Sequence, residues 1–181
     1  MFTKINVLQI FRDHLFTLTD SRREKGWAKI LWNRIFWQDL ALFYAVPLIV
    51  GILLVFFRVK PSGAVINVGL VSLTIFVPLL INVIFLIHTV LDTLRSRKTE
   101  NIESERKKAV AIAILQDIFC NISYSILMSL VTILALAGCM ITLLSGSFLY
   151  GIVYFLMIHL LLTGLMILKR LHVLLTTSFE E

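Results

Sequence analysis

Five polar residues recur at helical spacing in the most apolar half of the chain. They follow one another at steps of four, four, four and three: Asp117, Asn121, Ser125, Ser129 and Thr132. This spacing places them on one face of a helix. Lipid cannot hydrogen-bond such groups, so the face is expected to look onto other helices or onto water.

Two interpretations of this polar stripe stay open. Small hydroxyl residues let helix backbones approach closely, and Ser125 and Ser129 are spaced for such packing. Alternatively, the five residues line a water-filled path, with Asp117 at its cytoplasmic mouth. Four helices enclose little volume, so such a pore is expected to form between several copies of the chain. Apolar residues farther along the helix, such as Leu134 and Leu136, would then close the path by dewetting.

The basic residues suggest a second kind of site. Juxtamembrane lysines and arginines commonly bind anionic lipid headgroups and set topology. They also suit an anionic cytoplasmic ligand, such as a nucleotide or a short DNA oligomer, if they converge in an oligomer. The candidate ligand-binding residues are Arg22, Arg23, Lys25, Lys29, Arg95, Arg97, Lys98, Arg106, Lys107 and Lys108.

No enzyme motif is present in the sequence. It contains no HExxH, no Gly-rich phosphate loop and no GxSxG. Ser129 with His159 is the one geometric candidate for a nucleophile and base, and such pairs more often hydrogen-bond as packing between helices. Cys120 and Cys139 match no metal or redox spacing. We therefore expect a non-enzyme without a cofactor or metal.

The elements that position these residues are transmembrane helices. The mean hydropathy is +0.92, and Ile118–Leu168 contains no Asp, Glu, Lys or Arg over 51 residues. That is long enough for two passes of about 20 residues each, with a turn at Ser145–Ser147. The sequence predicts an all-α membrane protein with four transmembrane helices in two hairpins and cytoplasmic helical extensions.

The predicted organisation has five segments. Residues 1–38 form cytoplasmic amphipathic and juxtamembrane helices, 39–91 the first transmembrane hairpin and 92–116 a basic loop and helix extension. Residues 117–168 form the second hairpin, and 169–181 a cytoplasmic tail. Residues 1–20 are expected either to lie on the inner leaflet or to pack against the protein's own cytoplasmic parts.

Orientation follows from the distribution of charge. With four spans, one side carries 15 of the 17 Lys and Arg residues, and the other carries only Arg58 and Lys60. The positive-inside rule predicts a multi-pass membrane protein with both termini and the loop at 92–108 in the cytoplasm.

The outline resembles the small four-span membrane effectors of bacterial antiphage defence. It rests on size, four spans, a basic cytoplasmic skirt and a last span that runs into Lys169, Arg170 and Leu171, within Leu165–His172. Within this group the outline resembles the channel subunit of the Hailong system, which implies a location in a bacterial inner membrane. That resemblance implies a tetrameric channel held shut by DNA oligomers from a partner nucleotidyltransferase, which depolarises the membrane when open. The four-span infection sensor of the Kiwa system is a second resemblance.

Two functions are therefore predicted. The first is a homo-oligomeric inner-membrane ion channel, gated by an anionic cytoplasmic ligand and acting as an antiphage effector. The alternative is a non-conducting membrane sensor or scaffold that recruits a soluble partner through its cytoplasmic helices.

Overall fold

The described part of the chain is helical. A computed structural model describes residues 7–18, 38, 40–96, 102–140 and 146–179. The helices are α1 (Val7–Leu18), α2 (Val46–Phe56), α3 (Gly63–Ser96), α4 (Ile102–Met140) and α5 (Ser147–Phe179), and a π-helical turn, Ala41–Ala45, leads directly into α2. This agrees with the predicted all-α class.

Three of these helices are long and apolar enough to cross a membrane: α3, α4 and α5. With 34, 39 and 33 residues, each is roughly 50 Å or more in length, well beyond a hydrocarbon core of about 30 Å. The first predicted span is shorter, since its apolar helix covers Ala41–Phe56. The described chain thus has three helices that could span a membrane and a fourth, shorter apolar helix, and the four spans in two hairpins stay a prediction.

The apolar helices pack in a row rather than in chain order. α3 packs against α4, α4 against α5, and α5 against α2, while α1 packs against α4. The contact between α2 and α5 depends on two glycines: a Cβ built at Gly51 would lie 3.1 Å from the backbone oxygen of Gly151. Small residues at this crossing let the two backbones approach closely.

A tight turn joins α2 to α3. Arg58 adopts a left-handed conformation with φ of 54°, and the N–H of Val59 donates to the carbonyl of Leu54 at 2.9 Å. Ser62 then begins the next helix, because its Oγ accepts a hydrogen bond from the N–H of Val65 at 3.3 Å. Both features are typical of helix ends.

Three apolar clusters lie between the helices, and one of them joins α4 to α5 through Tyr124 and Leu156. Another joins α3 to α4 through buried residues such as Ile87 and Ile118. The third joins α3, α4 and α5 near the opposite end through Ile66, Leu136 and Val153. The outward surfaces of α2 and α3 stay apolar, as at Ile52 and Val68, which suits helices that face lipid.

Candidate functional site: a buried polar junction at α1

One end of the helix row, which we call the basic end, carries Arg95, Arg106, Lys108, Lys169 and Arg170. There, α1 lies against α4. The helix presents Ile10, Phe11, His14 and Thr17 at steps of one, three and three, which places them on one face. His14 and Thr17 are buried. The edge of Phe11 meets the ring of Tyr124, with centroids 5.1 Å apart.

We call the buried polar cluster beneath this face the polar junction: His14, Thr17, Tyr44, Asn121, Tyr124 and His159. Its first half centres on the side-chain oxygen of Asn121. The Nδ1 of His14 lies 2.9 Å from that oxygen, and the Thr17 hydroxyl lies 2.5 Å from it. Because an amide oxygen only accepts, the Nδ1 of His14 carries the proton and donates. Asn121 therefore ties α1 to α4 directly.

The second half of the junction connects three further segments. The Nδ1 of His159 lies 2.8 Å from the backbone oxygen of Phe43, and its Nε2 lies 2.8 Å from the Tyr124 hydroxyl. The carbonyl can only accept, so Nδ1 donates and Nε2 accepts from Tyr124. The Tyr44 hydroxyl lies 3.4 Å from that of Tyr124. The imidazole of His159 thus links α5 to α4 and to the π-helical turn.

His14 also contacts this second half through its ring. The rings of His14 and Tyr124 are stacked nearly parallel, with centroids 3.7 Å apart and an interplanar angle of 5°. His14 and His159 meet edge to face at 6.4 Å. The two halves therefore form one continuous network rather than separate pairs.

Arg170 supports the junction from the end of α5. One of its terminal nitrogens donates to the backbone carbonyl of Thr17, and the other lies 3.5 Å from a carboxylate oxygen of Asp117. The two side chains are 22% and 28% exposed, so solvent screens this pair less than a surface pair. α1 is therefore attached to both α4 and α5.

The docking of α1 leaves two polar atoms unsatisfied. The Nε2 of His14 and the Nδ2 of Asn121 are buried and have no hydrogen-bond partner among the described residues. Burial also lowers the pKa of the His14 imidazole to about 4, and the hydrogen bond to Asn121 opposes this shift only in part. Each buried polar atom without a partner costs about 1–3 kcal/mol. These two costs lower the free energy that docking of α1 gains.

The rest of the polar stripe behaves differently. Ser125, Ser129 and Thr132, which we call the far stripe, are buried within this one chain. Each hydroxyl donates to a carbonyl four residues earlier in its own helix, at 2.7–2.9 Å. Asn121 is buried with them. In the described chain the stripe therefore faces protein, and the assignment of its five residues to a pore between copies stays a prediction.

Other predicted residues are placed as follows. Ser129 and His159 do not pair, since the Ser129 hydroxyl donates to the Ser125 carbonyl. Arg95 and Arg106 are exposed, and the Nζ of Lys108 lies 3.4 Å from the backbone oxygen of Arg95. Of the described basic candidates, the structure places the side chain of Lys108 against the backbone of Arg95. Arg22, Arg23, Lys25, Lys29, Arg97 and Lys98 lie outside the described residues, as does the side chain of Lys107.

The sequence did not point to His14, Thr17, Tyr44 or Tyr124 as site residues. Tyr124 lies three residues after Asn121, so the helical spacing of the stripe was a usable signal for it. The amphipathic pattern of residues 1–20 indicated a helix for α1 but not its partner. Within the described ranges, no group of three or more His, Cys, Asp or Glu side chains is arranged to hold a metal ion.

Comparison with known proteins adds no relative. A scan against protein-family models, a search of curated proteins and a search of solved structures each found no match to this chain.

Proposed function

We propose that this chain is a membrane-embedded sensor in which α1 is the movable output element. The observation that carries the proposal is the way α1 docks. It is joined to the apolar helices by polar contacts of His14 and Thr17 to Asn121, and docking buries two polar atoms without partners. Water would satisfy both atoms once α1 leaves. These two atoms oppose docking, so we propose that the helix can exchange between a docked and a released state, as a switch requires.

The biological setting is part of the same proposal. If the shorter helix α2 also crosses the membrane, the one-sided distribution of Lys and Arg supports both termini in the cytoplasm. The outline resembles antiphage membrane proteins, so the signal would be a disturbance of the inner membrane during infection. Released α1, together with the basic residues around it, would recruit a soluble partner.

A second candidate is the ligand-gated, homo-oligomeric channel of the Hailong type. One observation favours it: α1 covers the basic-end half of the polar stripe, at Asn121. Removal of α1 would uncover this half toward the cytoplasm. An anionic ligand bound to the basic residues would then hold the path closed.

Ion flux and α1 docking, measured on the same preparations, separate the two candidates. Purified protein is reconstituted into liposomes as wild type and as Asn121→Leu, which removes the acceptor for His14 and leaves the Thr17 hydroxyl only the backbone carbonyl of His14, 2.7 Å away. Hydrogen exchange of residues 7–18 reports docking, and a potential-sensitive dye reports flux. A sensor predicts faster exchange in Asn121→Leu and no flux from either protein.

Each other result has a defined meaning. Flux from Asn121→Leu, or flux from wild type that a short DNA oligomer closes, would overturn the sensor in favour of the channel. Unchanged exchange in Asn121→Leu would show that α1 is a fixed part of the fold, and the sensor proposal would fail. Ser129→Ala is the matched control, since the Ser129 hydroxyl donates its hydrogen bond to the Ser125 carbonyl of its own helix.

A further inference from the structure

A cleft of about 510 Å³ lies beside α1 at the basic end. Asp13 of α1, His88 and Arg95 of α3 and Gln116 of α4 provide its polar lining, and Leu91 and Phe119 provide most of its apolar lining. Its volume lies within the range of about 300–1,000 Å³ that is usual for ligand sites. None of these side chains belongs to the polar junction.

The cleft lies at the level where the helices leave the membrane. Arg95 is in the last turn of α3, four residues beyond Leu91, and Gln116 directly precedes Asp117 at the start of the charge-free tract. Phe119 and Leu91 lie on the apolar side of these residues. Arg95 and Gln116 therefore provide polar groups at one level of the cleft, and Leu91 and Phe119 provide apolar groups nearer the charge-free tract, with His88 as the one polar side chain at that deeper level of α3. A phospholipid has the same order of polarity.

The charges of the lining select the headgroup. Arg95 contributes one permanent positive charge and Asp13 one negative charge, and His88 lies 3.1 Å from the carboxylate of Asp92. A purely anionic headgroup would meet one guanidinium and nearby carboxylates. A headgroup with a phosphate and a primary ammonium matches both signs.

We propose that this cleft binds an ethanolamine phospholipid, with its phosphate on Arg95, its ammonium on Asp13 and an acyl chain along Leu91 and Phe119. Asp13 already takes part in an interaction within the chain. A carboxylate has about four acceptor positions, so accepting an ammonium proton does not require that interaction to be absent.

Lipid binding would regulate α1, and this part rests on the proposed function. Asp13 belongs to α1, whereas Arg95 and Leu91 belong to α3, so the complete site exists only while α1 is docked. A ligand that binds only the docked state stabilises that state. Loss of the lipid, or its dilution in a disturbed bilayer, would favour release of α1.

The test measures lipids that remain bound to the full-length protein. Nanodiscs contain equal amounts of ethanolamine, glycerol and choline phospholipids of the same acyl composition, and native mass spectrometry counts the lipids retained after mild extraction. We expect wild type to retain the ethanolamine lipid several-fold over the others. Arg95→Gln should reduce this retention about tenfold. Arg106→Gln, an exposed arginine that is not part of the cleft lining, should leave it unchanged.

A second variant tests the charge argument. Asp13→Asn removes the negative charge, so the preference should move from the ethanolamine lipid to the glycerol lipid. Helicity and thermal stability close to those of wild type confirm that each variant is folded. The proposal is wrong if wild type retains the glycerol or choline lipid equally well, or if Arg95→Gln and Arg106→Gln behave alike. It is also wrong if soluble glycerophosphoethanolamine displaces the lipid at equal concentration, since the acyl chain would then contribute nothing.

Failure of the lipid site and failure of the sensor give different results. Lipid retention is read without any output from α1, and hydrogen exchange of α1 in wild type against Asn121→Leu is read without added ethanolamine lipid. If the ethanolamine lipid is selectively retained but α1 exchanges at the same rate in discs with and without it, the binding site stands and its coupling to α1 is wrong. If α1 exchanges faster in Asn121→Leu but no lipid is selectively retained, the sensor proposal stands and the lipid-binding site is wrong.

Discussion

The two ends of the polar stripe on α4 use similar residue types in different ways. At the basic end, Asp117 and Asn121 send their side chains across to α5 and α1. In the far stripe, the hydroxyls of Ser125, Ser129 and Thr132 return to carbonyls of their own helix. The first half joins helices through polar bonds, whereas the second half allows packing by being small. A regular polar spacing therefore does not imply one common role along its length.

The geometry of the side chains explains the difference. A serine or threonine hydroxyl reaches a carbonyl one turn back and is satisfied without any neighbouring helix. An amide or a carboxylate extends farther and has more hydrogen-bonding positions than its own helix can fill. Inside a membrane these groups need partners on other helices, so they determine which helices come together.

The largest effect is expected from Arg170→Met, which keeps most of the side-chain volume but removes the charge. This variant loses the pair with Asp117 and the bond to the Thr17 carbonyl. Breaking a partly buried ion pair should cost about 3 kcal/mol, measured by SDS-titrated unfolding in micelles. Lys169→Met is the matched control, because Lys169 is the exposed neighbour. Equal losses in the two variants would contradict a role for Arg170 at the junction.

Asn121→Leu should have the next largest effect. It leaves the Nδ1 proton of His14 buried without its acceptor, which costs about 1–3 kcal/mol. Hydrogen exchange of residues 7–18 should become faster by the corresponding factor, about tenfold or more, while the core of α3 stays protected. If α1 exchanges at the wild-type rate in this variant, Asn121 does not hold α1 against α4, and the basic-end half of the stripe joins helices no more than the far stripe does.

Acidification should weaken α1 docking through His14. The pKa of this group is about 4 in the docked state, below the usual 6.5. Above pH 6.5 the imidazole is neutral in both states. Between pH 6.5 and 4 only the released helix binds the proton, so docking weakens by roughly 1.4 kcal/mol per pH unit. Exchange of α1, corrected for its intrinsic pH dependence, should rise about tenfold between pH 7.5 and 5.5.

His14→Gln is the control for this pH effect, because an amide can still donate to Asn121 and does not titrate in this range. The pH dependence should disappear in it. If it persists, a group other than His14 is responsible.

The smallest effect is expected from Ser129→Ala in the far stripe. Its hydroxyl donates its hydrogen bond within its own helix, so the free energy of unfolding should change by less than about 0.5 kcal/mol. Ion flux from liposomes should not change either. A loss above about 1 kcal/mol would mean that this hydroxyl has a partner on another helix, and a change in flux would support the wet-pore interpretation.

The local features of the fold were predictable, whereas the contacts between distant segments were not. Helical spacing predicted that Asn121 and Ser125 share one helix face, and the charge-free tract predicted the two apolar helices that correspond to α4 and α5. Spacing carries no information on partners, so it did not show that His14 would meet Asn121 across 107 positions. The packing of α2 on α5 depends on Gly51 and Gly151, and two glycines in separate helices cannot be paired from one sequence.

The same limit applies to the site. A hydroxyl on a predicted helix has its preferred acceptor within four residues, so the hydrogen bonds of the far stripe could be predicted from the sequence. Asn121, His159 and Arg170 bond outside their own helices, and their partners include backbone carbonyls of Phe43 and Thr17. The backbone carbonyl is chemically the same in every residue, so no sequence pattern marks which carbonyl will accept such a bond.

The π-helical turn Ala41–Ala45 places a constraint on the length of the chain. The N–H of Val46 donates to the carbonyl of Ala41, five residues earlier, so this turn holds one residue more than an α-helical turn. Deleting one residue here would restore the α-helical pattern and rotate everything before it by about 100°. The carbonyl of Phe43 would then turn away from His159. Leu42 is exposed and should accept almost any apolar replacement. Deleting it should nevertheless disrupt the contact with His159. This turn should therefore tolerate substitutions but not a change in length.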